Sequence, residues 1–432
     1  MEFIGAFEST YLPRHDVDIL ETSGHVRRWR EDLALLKSAG ISRLRYPVRW
    51  HRIEAEPGTY DWRSTDEVLG FMREEGFSPI VDLVHHTSYP RWLMGGFGNL
   101  RFGPRYLRFC EAFANRYPWI EDYTLFNEPF ATLFLAGHEG IWPPHGRGTV
   151  SFIQLLRNVL PAVSRAAAMY RELLPAARHY YVDTCEAHVA GDRESETYAA
   201  IANDRRFLVL DLLLGSRLDP SRPYLREVLE AGGEDLLLID PADVDVLGLD
   251  YYAHSEWYYL RSGGLTPSPR PTGLAALASQ YWERYRLPMI LSETNIRGFT
   301  SDRASWLKFT LEQCEQAQRE GVRLDGYCWF PFVDSVDWDS LLARADRHID
   351  PVGVYWLDAR LNRHPSSMAS SFRMAASGAP ASRLPAYRFS PPLNERLAGF
   401  HRFMTRWDWQ EPPGQEVAVD DRVPVVAEGV AS

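Results

Sequence analysis

Cysteine is scarce in this chain. Its four residues, Cys110, Cys185, Cys314 and Cys328, include no C-x-x-C spacing, which argues against a disulfide framework or a thiolate metal site and leaves small apolar core positions. Long apolar runs are lacking too: none approaches the ~20 residues of a membrane span, so no membrane partner is expected. Positive charge is in deficit. With 47 Lys and Arg against 58 Asp and Glu the net charge is −11, which argues against nucleic acid or an anionic surface as partner. The opening residues Met1 to Phe7 carry no charged n-region or cleavage site, and a cytoplasmic, soluble protein without metal or other cofactor is the expectation.

What is present is a sizeable core and many aromatics, 14 Trp and 21 Tyr. Aromatic rings cover sugar faces well, and they also fill large cores. At 432 residues the chain fits two domains or one elaborated barrel. Periodicity favours the barrel. Short apolar segments near 3–8, 42–48, 78–84, 121–126, 178–185, 244–251, 287–292 and 324–330 read as strands. Amphipathic segments at 25–39, 65–75, 101–117, 151–173, 272–285 and 302–320 read as helices between them. In the first of these, Trp29, Leu33, Leu36 and Lys37 share a stripe and Gly40 follows as a stop. Strand–helix alternation of this kind predicts an α/β fold, a single (β/α)8 TIM barrel with elaborated loops. The barrel is expected over 1–377, with residues 186–243 an elaborated connection. Residues 378–432 form a C-terminal extension, with about twenty poorly ordered residues at its end. The Gly95 to Gly98 cluster lacks a strand-to-helix context and reads as loop.

Two phrases carry the chemistry: Leu125-Phe126-Asn127-Glu128-Pro129 and Leu291-Ser292-Glu293-Thr294-Asn295. Each sets a glutamate at the end of an apolar run, where barrel strands deliver side chains to a shared cavity. Glu128 would end the fourth strand and Glu293 the seventh, on facing sides of the mouth. Two carboxylates about 5–5.5 Å apart support glycosidic cleavage by double displacement. Plainer readings exist for each. Asn-Glu-Pro also starts a helix, with Pro at N1 and the carboxylate near the dipole. Arg45 alone reads as a salt-bridged residue, and Trp329 and Trp338 as plain core. His85-His86 suggests metal, but adjacent strand residues point to opposite faces.

The order and spacing of further motifs resemble glycoside hydrolase family 1, the β-glucosidase and β-galactosidase family, over roughly residues 3–376. Leu44 to Ile53 is similar to its arginine-bearing strand, His85 to Leu93 to its third-strand motif, Asp245 to Tyr252 to its sixth, and Gly326 to Trp338 to its eighth strand and sugar-binding loop. The resemblance implies a retaining β-glycosidase acting on a small β-glycoside or oligosaccharide, with Glu128 as acid/base and Glu293 as nucleophile. It also implies Arg45 beneath the nucleophile, Tyr252 bonded to it, Asn127 at the sugar 2-hydroxyl and His85 near the 3-hydroxyl. Asp337, Trp338, Glu8 and Trp329 are the remaining substrate-binding candidates. No metal or cofactor is implied.

Departures from the family pattern cluster around the sugar. Glu8 or Ser9 lies nearest a first-strand glutamine, and His86 replaces a tryptophan. Leu125 replaces a threonine, Asp250 an asparagine, and Asn295 a glycine. Asp337 replaces a glutamate that clamps the 4- and 6-hydroxyls, and Phe330-Pro331 falls where the family has Trp-Ser. An acid at Glu8 would repel a phosphorylated sugar, and Arg344 and Arg347 argue the other way. Two alternatives stay open: a transglycosylase using the same intermediate, with Trp92 and Trp142 as walls of an acceptor site, and a barrel reduced to sugar binding. The sequence does not settle an oligomeric state.

Overall fold

Eight parallel strands close on themselves, each hydrogen-bonded to the next in chain order and the last to the first. They are β1 (Glu2–Ala6), β2 (Arg43–Pro47), β3 (Ser78–Asp82), β4 (Asp122–Thr124), β5 (Arg178–Thr184), β6 (Val246–Asp250), β7 (Met289–Glu293) and β8 (Leu324–Cys328). The computed structural model describes residues 1–260, 264–340, 345–389, 400 and 407–410. The expected (β/α)8 barrel is the observed one, and all eight strands fall where the apolar segments placed them.

Alternation along each strand splits the apolar side chains into two cores. Ile4, Ala6, Ile80, Val182, Ile290 and Cys328 fill the barrel interior. Their strand neighbours Leu44, Val81, Leu249 and Leu291 point outward into the layer between sheet and helices. The six predicted helices are observed as His25–Ser38, Arg63–Glu74, Phe102–Arg116, Gly148–Leu173, Leu274–Tyr285 and Thr300–Arg319. The helix Ser367–Ala376 was not among them, and neither was Pro129–Gly137. Eight of its nine residues are buried, so it has no apolar–polar period to read.

The long connection after β5 contains the helices Glu196–Arg205, Leu208–Leu214 and Pro223–Glu230. It also sends Ala187–Ala190 to pair with Glu256–Tyr259 in a small sheet above the barrel. Of the extension beyond 377, the described pieces lie on the helix Thr300–Arg319. Phe400 packs on Trp306 and Phe309, and Trp407 donates to Glu312 Oε2 at 2.8 Å. The terminal stretch expected to be poorly ordered, 411–432, lies outside the described residues, as does Arg344. Among the described residues, no helix is long and apolar enough to cross a membrane.

Candidate active site

The C-terminal mouth of the barrel collects one inward side chain from nearly every strand. Arg45 on β2 is the centre. Only 1 % exposed, its guanidinium donates to Glu293 Oε1 at 2.7 Å, Asp82 Oδ2 at 3.0 Å, Asn127 Oδ1 at 2.6 Å and the Ser292 carbonyl at 3.1 Å. A buried cation needs this many partners, and a planar fork can serve several at once.

Glu293 reaches the site through an irregularity. The pairing of β7 with β6 shifts register between Leu291 and Glu293, so that Glu293 comes opposite Asp250. Such a shift re-aims a side chain that strict alternation would send outward. Beyond Arg45, Glu293 accepts the Tyr252 hydroxyl on Oε2 at 2.7 Å. Burial raises its pKa, and Arg45 first, then His85 and the Tyr252 hydrogen bond, pull the other way.

Glu128 arrives differently. β4 stops at Thr124, and the chain continues through Asn127, whose N–H donates to the Val84 carbonyl at 2.9 Å, and Glu128, whose N–H donates to Val182 at 2.9 Å. Glu128 has φ +44°, and Pro129 opens the following helix. Both sequence readings of Asn-Glu-Pro therefore hold together: the triplet starts a helix, yet the Glu128 side chain does not cap it. Its carboxyl points into the mouth instead. Burial raises its pKa well above the usual range, followed by the charges of Asp250 and Glu293, and among the described residues no Arg or Lys pairs with it to oppose them. One carboxyl held protonated, one paired with a cation: that asymmetry is what acid–nucleophile chemistry requires.

Oxygens of Glu128, Glu293 and Asp250 lie within 4.8 Å of one another, all three residues buried. Ser292 donates to Asp250 Oδ1 at 2.6 Å. Gly248 makes room for that hydroxyl, since a Cβ there would meet Ser292 Oγ at 2.4 Å. Asn127 Nδ2 and His85 Nε2 are buried without a hydrogen-bond partner among the described residues. Buried polar atoms are nearly always bonded, so these two fit a polar ligand at the mouth. His85 Nδ1 lies 3.3 Å from Asp82 Oδ2, and despite burial its pKa is raised, chiefly by that hydrogen bond and by Glu8.

The remaining candidates divide. Glu8 is buried, accepts three bonds from Ser9 and Thr10 on Oε1, and comes within 3.7 Å of His85 Nε2. Trp338 leans on Tyr252 at 5.8 Å and on Phe330 at 6.1 Å between ring centres. Asp337 turns both oxygens to the backbone N–H groups of Arg347 and His348, at 2.9 and 3.0 Å, and so holds its own loop. Trp329 is not at the mouth. Its ring packs in the outer core and donates to the Val352 carbonyl at 2.8 Å; the inward position belongs to Phe330, stacked on His85 at 5.7 Å. The argument that sent His85 and His86 to opposite faces also fails. Both lie beyond β3, and His86 at φ +48° brings its ring within 4.5 Å of that of His85. His86 is then 3.7 Å from Glu128 Oε2. Burial, then His85 and Arg45, keep it neutral. Trp92 is tied to the Glu54 carbonyl at 2.6 Å, whereas the Trp142 ring packs at a tilt against His86, 4.7 Å between centres.

Sequence comparison matches residues 12–268 to the model of glycosyl hydrolase family 1. The chain belongs to glycosyl hydrolase family 1. Among its family 1 relatives, β-glucosidase A of Thermotoga maritima is 22% identical over 370 residues, covering 77% of this chain and 82% of that protein. An aryl-phospho-β-D-glucosidase of Bacillus subtilis is 23% identical over 395 residues, covering 77% and 80%. The fold is likewise shared: the family 1 β-glucosidase structure from T. maritima superposes with a TM-score of 0.70 at 18% identity, over 82% of this chain and 86% of that one. As a family 1 member the chain is a glycoside hydrolase on a (β/α)8 barrel.

Proposed function

We propose that this family 1 enzyme is a retaining β-glycosidase that hydrolyses a small β-glycoside through a covalent glycosyl-enzyme, with Glu128 as acid/base and Glu293 as nucleophile. The observation that carries the reading is the unequal pair: oxygens within 4.8 Å, with Arg45 and Tyr252 on Glu293 alone. An inverting pair stands about 6.5–9.5 Å apart to admit a water. Here Glu128 protonates the leaving oxygen as Glu293 attacks the anomeric carbon. Glu128, now a carboxylate, then takes a proton from the water that displaces Glu293. Asn127 Nδ2 and His85 Nε2 supply unspent hydrogen-bonding capacity for sugar hydroxyls.

The preferred sugar is unphosphorylated. Glu8 places a buried acid, its Oε2 without a hydrogen-bond partner among the described residues, beside His85, and a phosphate close to it is repelled. The transglycosylase reading keeps one supporting contact, Trp142 against His86 on the Glu128 side. Added alcohol or sugar acceptors separate the two by their products.

The test is an activated 2-deoxy-2-fluoro β-glycoside panel read by intact-protein mass spectrometry. Fluorine destabilises the oxocarbenium-like transition state, so the intermediate accumulates. An adduct mapped to Glu293 supports the mechanism and names the sugar. An adduct on another residue sinks it.

A further inference from the structure

Asp250 ends β6 and is wholly buried, 0 % exposed. Its Oδ1 takes the Ser292 hydroxyl at 2.6 Å. Its Oδ2, also buried, has no hydrogen-bond partner among the described residues, and the Glu128 carboxyl lies within 4.8 Å of the Asp250 carboxyl. The N–H groups of Arg45 that find acceptors go to Glu293, Asp82, Asn127 and the Ser292 carbonyl, not to Asp250. A buried carboxylate without a contacting cation is costly unless it shares a proton. Glu128 has the same need and sits in the same 4.8 Å cluster.

We propose that Asp250 is a positioning partner of the acid/base: Glu128 and Asp250 share one proton in the resting enzyme, and the Asp250 carboxylate holds Glu128 in its donor form. The proposal rests on the reading of Glu128 as acid/base. Charge accounting then closes through the cycle. At rest Glu293 is an anion and the pair carries one negative charge. As the C1–O bond to the leaving group breaks, the Glu128 proton goes to the leaving oxygen and a bond forms from Glu293 to C1. Glu293 is then a neutral ester and the pair carries two charges. In the second step Glu128 takes a proton from water, the water oxygen bonds to C1, and the ester bond breaks to return the Glu293 anion. The three carboxyls keep two negative charges throughout, so the dry site never gains or loses net charge.

The surroundings agree. Burial is the largest influence on Glu128, and the Asp250 charge comes next, ahead of Glu293. Around the pair stand Glu293 on β7, Arg45 on β2, Asp183 on β5, Cys328 on β8, Tyr252 beyond β6 and neutral His86 beyond β3. Asp183 spends its oxygens on backbone N–H groups and the Tyr181 hydroxyl. Burial keeps the Tyr252 hydroxyl and the Cys328 thiol protonated.

The experiment is the pH dependence of kcat/KM for the full-length enzyme, Asp250→Asn and Asp250→Ser, using a glycoside whose leaving group must be protonated. Without the second charge Glu128 loses its proton at lower pH, so the alkaline limb moves down by about one pH unit or more. A merely structural role lowers kcat/KM at every pH and leaves the limb in place. An unmoved limb in either folded variant overturns the proposal, and Asp250→Ser decides alone if the amide variant fails to fold. Glu128→Ala separates the two levels. If it is inactive on this substrate while the limb is unmoved, only the proton sharing is wrong. Wild-type turnover by Glu128→Ala overturns the acid/base reading and the proposal with it.

Discussion

Asp183 caps the helix that Glu128 introduces. Its Oδ2 accepts the Phe130 N–H at 2.7 Å and its Oδ1 the Ala131 N–H at 3.2 Å, so a carboxylate at the end of β5 fixes the backbone one turn from the φ +44° of Glu128. A strained residue persists only where its surroundings over-determine it, and this cap is such a surrounding.

The cap carries a pH signature. Burial lifts Asp183 from its ordinary 3.8 to about 7, against the pull of Tyr181, Phe130, Ala131 and Thr184. The folded chain therefore holds this proton more tightly than the unfolded chain does. Its contribution to stability is fully present below about pH 4 and is lost as pH rises through 7. Asp183→Asn removes the titration and turns an amide towards N–H donors, costing about 1–3 kcal/mol. Urea unfolding of both proteins at a series of pH values checks this. The difference between them should shrink from pH 4 to 7; a constant difference removes Asp183 as a titrating group.

Glu293→Ala is expected to lose about four orders of magnitude or more in kcat, as removal of a covalent nucleophile does. Glu128→Ala should behave otherwise. It loses turnover of glycosides with poor leaving groups but still forms the intermediate from a dinitrophenyl glycoside, which needs no proton. Azide, which attacks without a general base, should then restore turnover of that substrate as a glycosyl azide. Steady-state rates with the two leaving groups, with and without azide, decide. Equal losses on both substrates with no rescue would contradict the assigned roles.

How far the sequence reached can be judged from single residues. Strand positions were legible because short apolar runs recur between amphipathic segments, even where a strand such as Arg43–Pro47 or Leu324–Cys328 has no β-branched residue. That Glu128 and Glu293 come together at the mouth was legible because each ends an apolar run. The register shift that aims Glu293 inward was not, since bulges depend on the neighbouring strand. Asp183 escaped notice because an acid near the end of a strand has many ordinary explanations, and its cap forms with a helix too evenly buried to read. Trp329 read both as a sugar-binding candidate and as plain core, and the second is where it lies: one residue of parity at the end of β8 decides that Phe330 enters the barrel instead, and the sequence does not show where that count starts. His86 failed for a related reason, because alternation does not survive a left-handed residue.

The extension beyond 377 gives a stability prediction separate from the chemistry. Trp407 donates to Glu312, lies under Lys308 at 5.4 Å and packs at a tilt against Trp409 at 5.5 Å. The first two contacts tie the extension to the helix Thr300–Arg319 through Glu312 and Lys308, and the third lies within the extension itself. Trp407→Ala should cost about 1–2 kcal/mol from the lost hydrogen bond, cation–π contact and ring packing. Thermal unfolding should show a lower Tm, while kcat/KM at 25 °C stays within about twofold. A large change in kcat/KM would mean that the extension reaches the site.

Arg45 joins stability to chemistry, and the two can be separated by choice of substitution. Arg45→Ala leaves Asp82 and Glu293 buried without their cation, a loss of about 3–5 kcal/mol. It also removes the strongest opposition to burial at Glu293. The nucleophile then takes up its proton at higher pH, so the acid limb of kcat/KM moves up. Arg45→Lys keeps the charge but cannot span Glu293, Asp82, Asn127 and the Ser292 carbonyl from a single ammonium. Its acid limb should stay near the wild-type position while kcat falls, because Glu293 remains ionised but is held less firmly against the anomeric carbon. Tm and the pH–rate profile of both variants are the measurements. If the acid limb of Arg45→Ala coincides with that of the wild type, Arg45 does not set the ionisation of Glu293, and the pairing at 2.7 Å serves position alone.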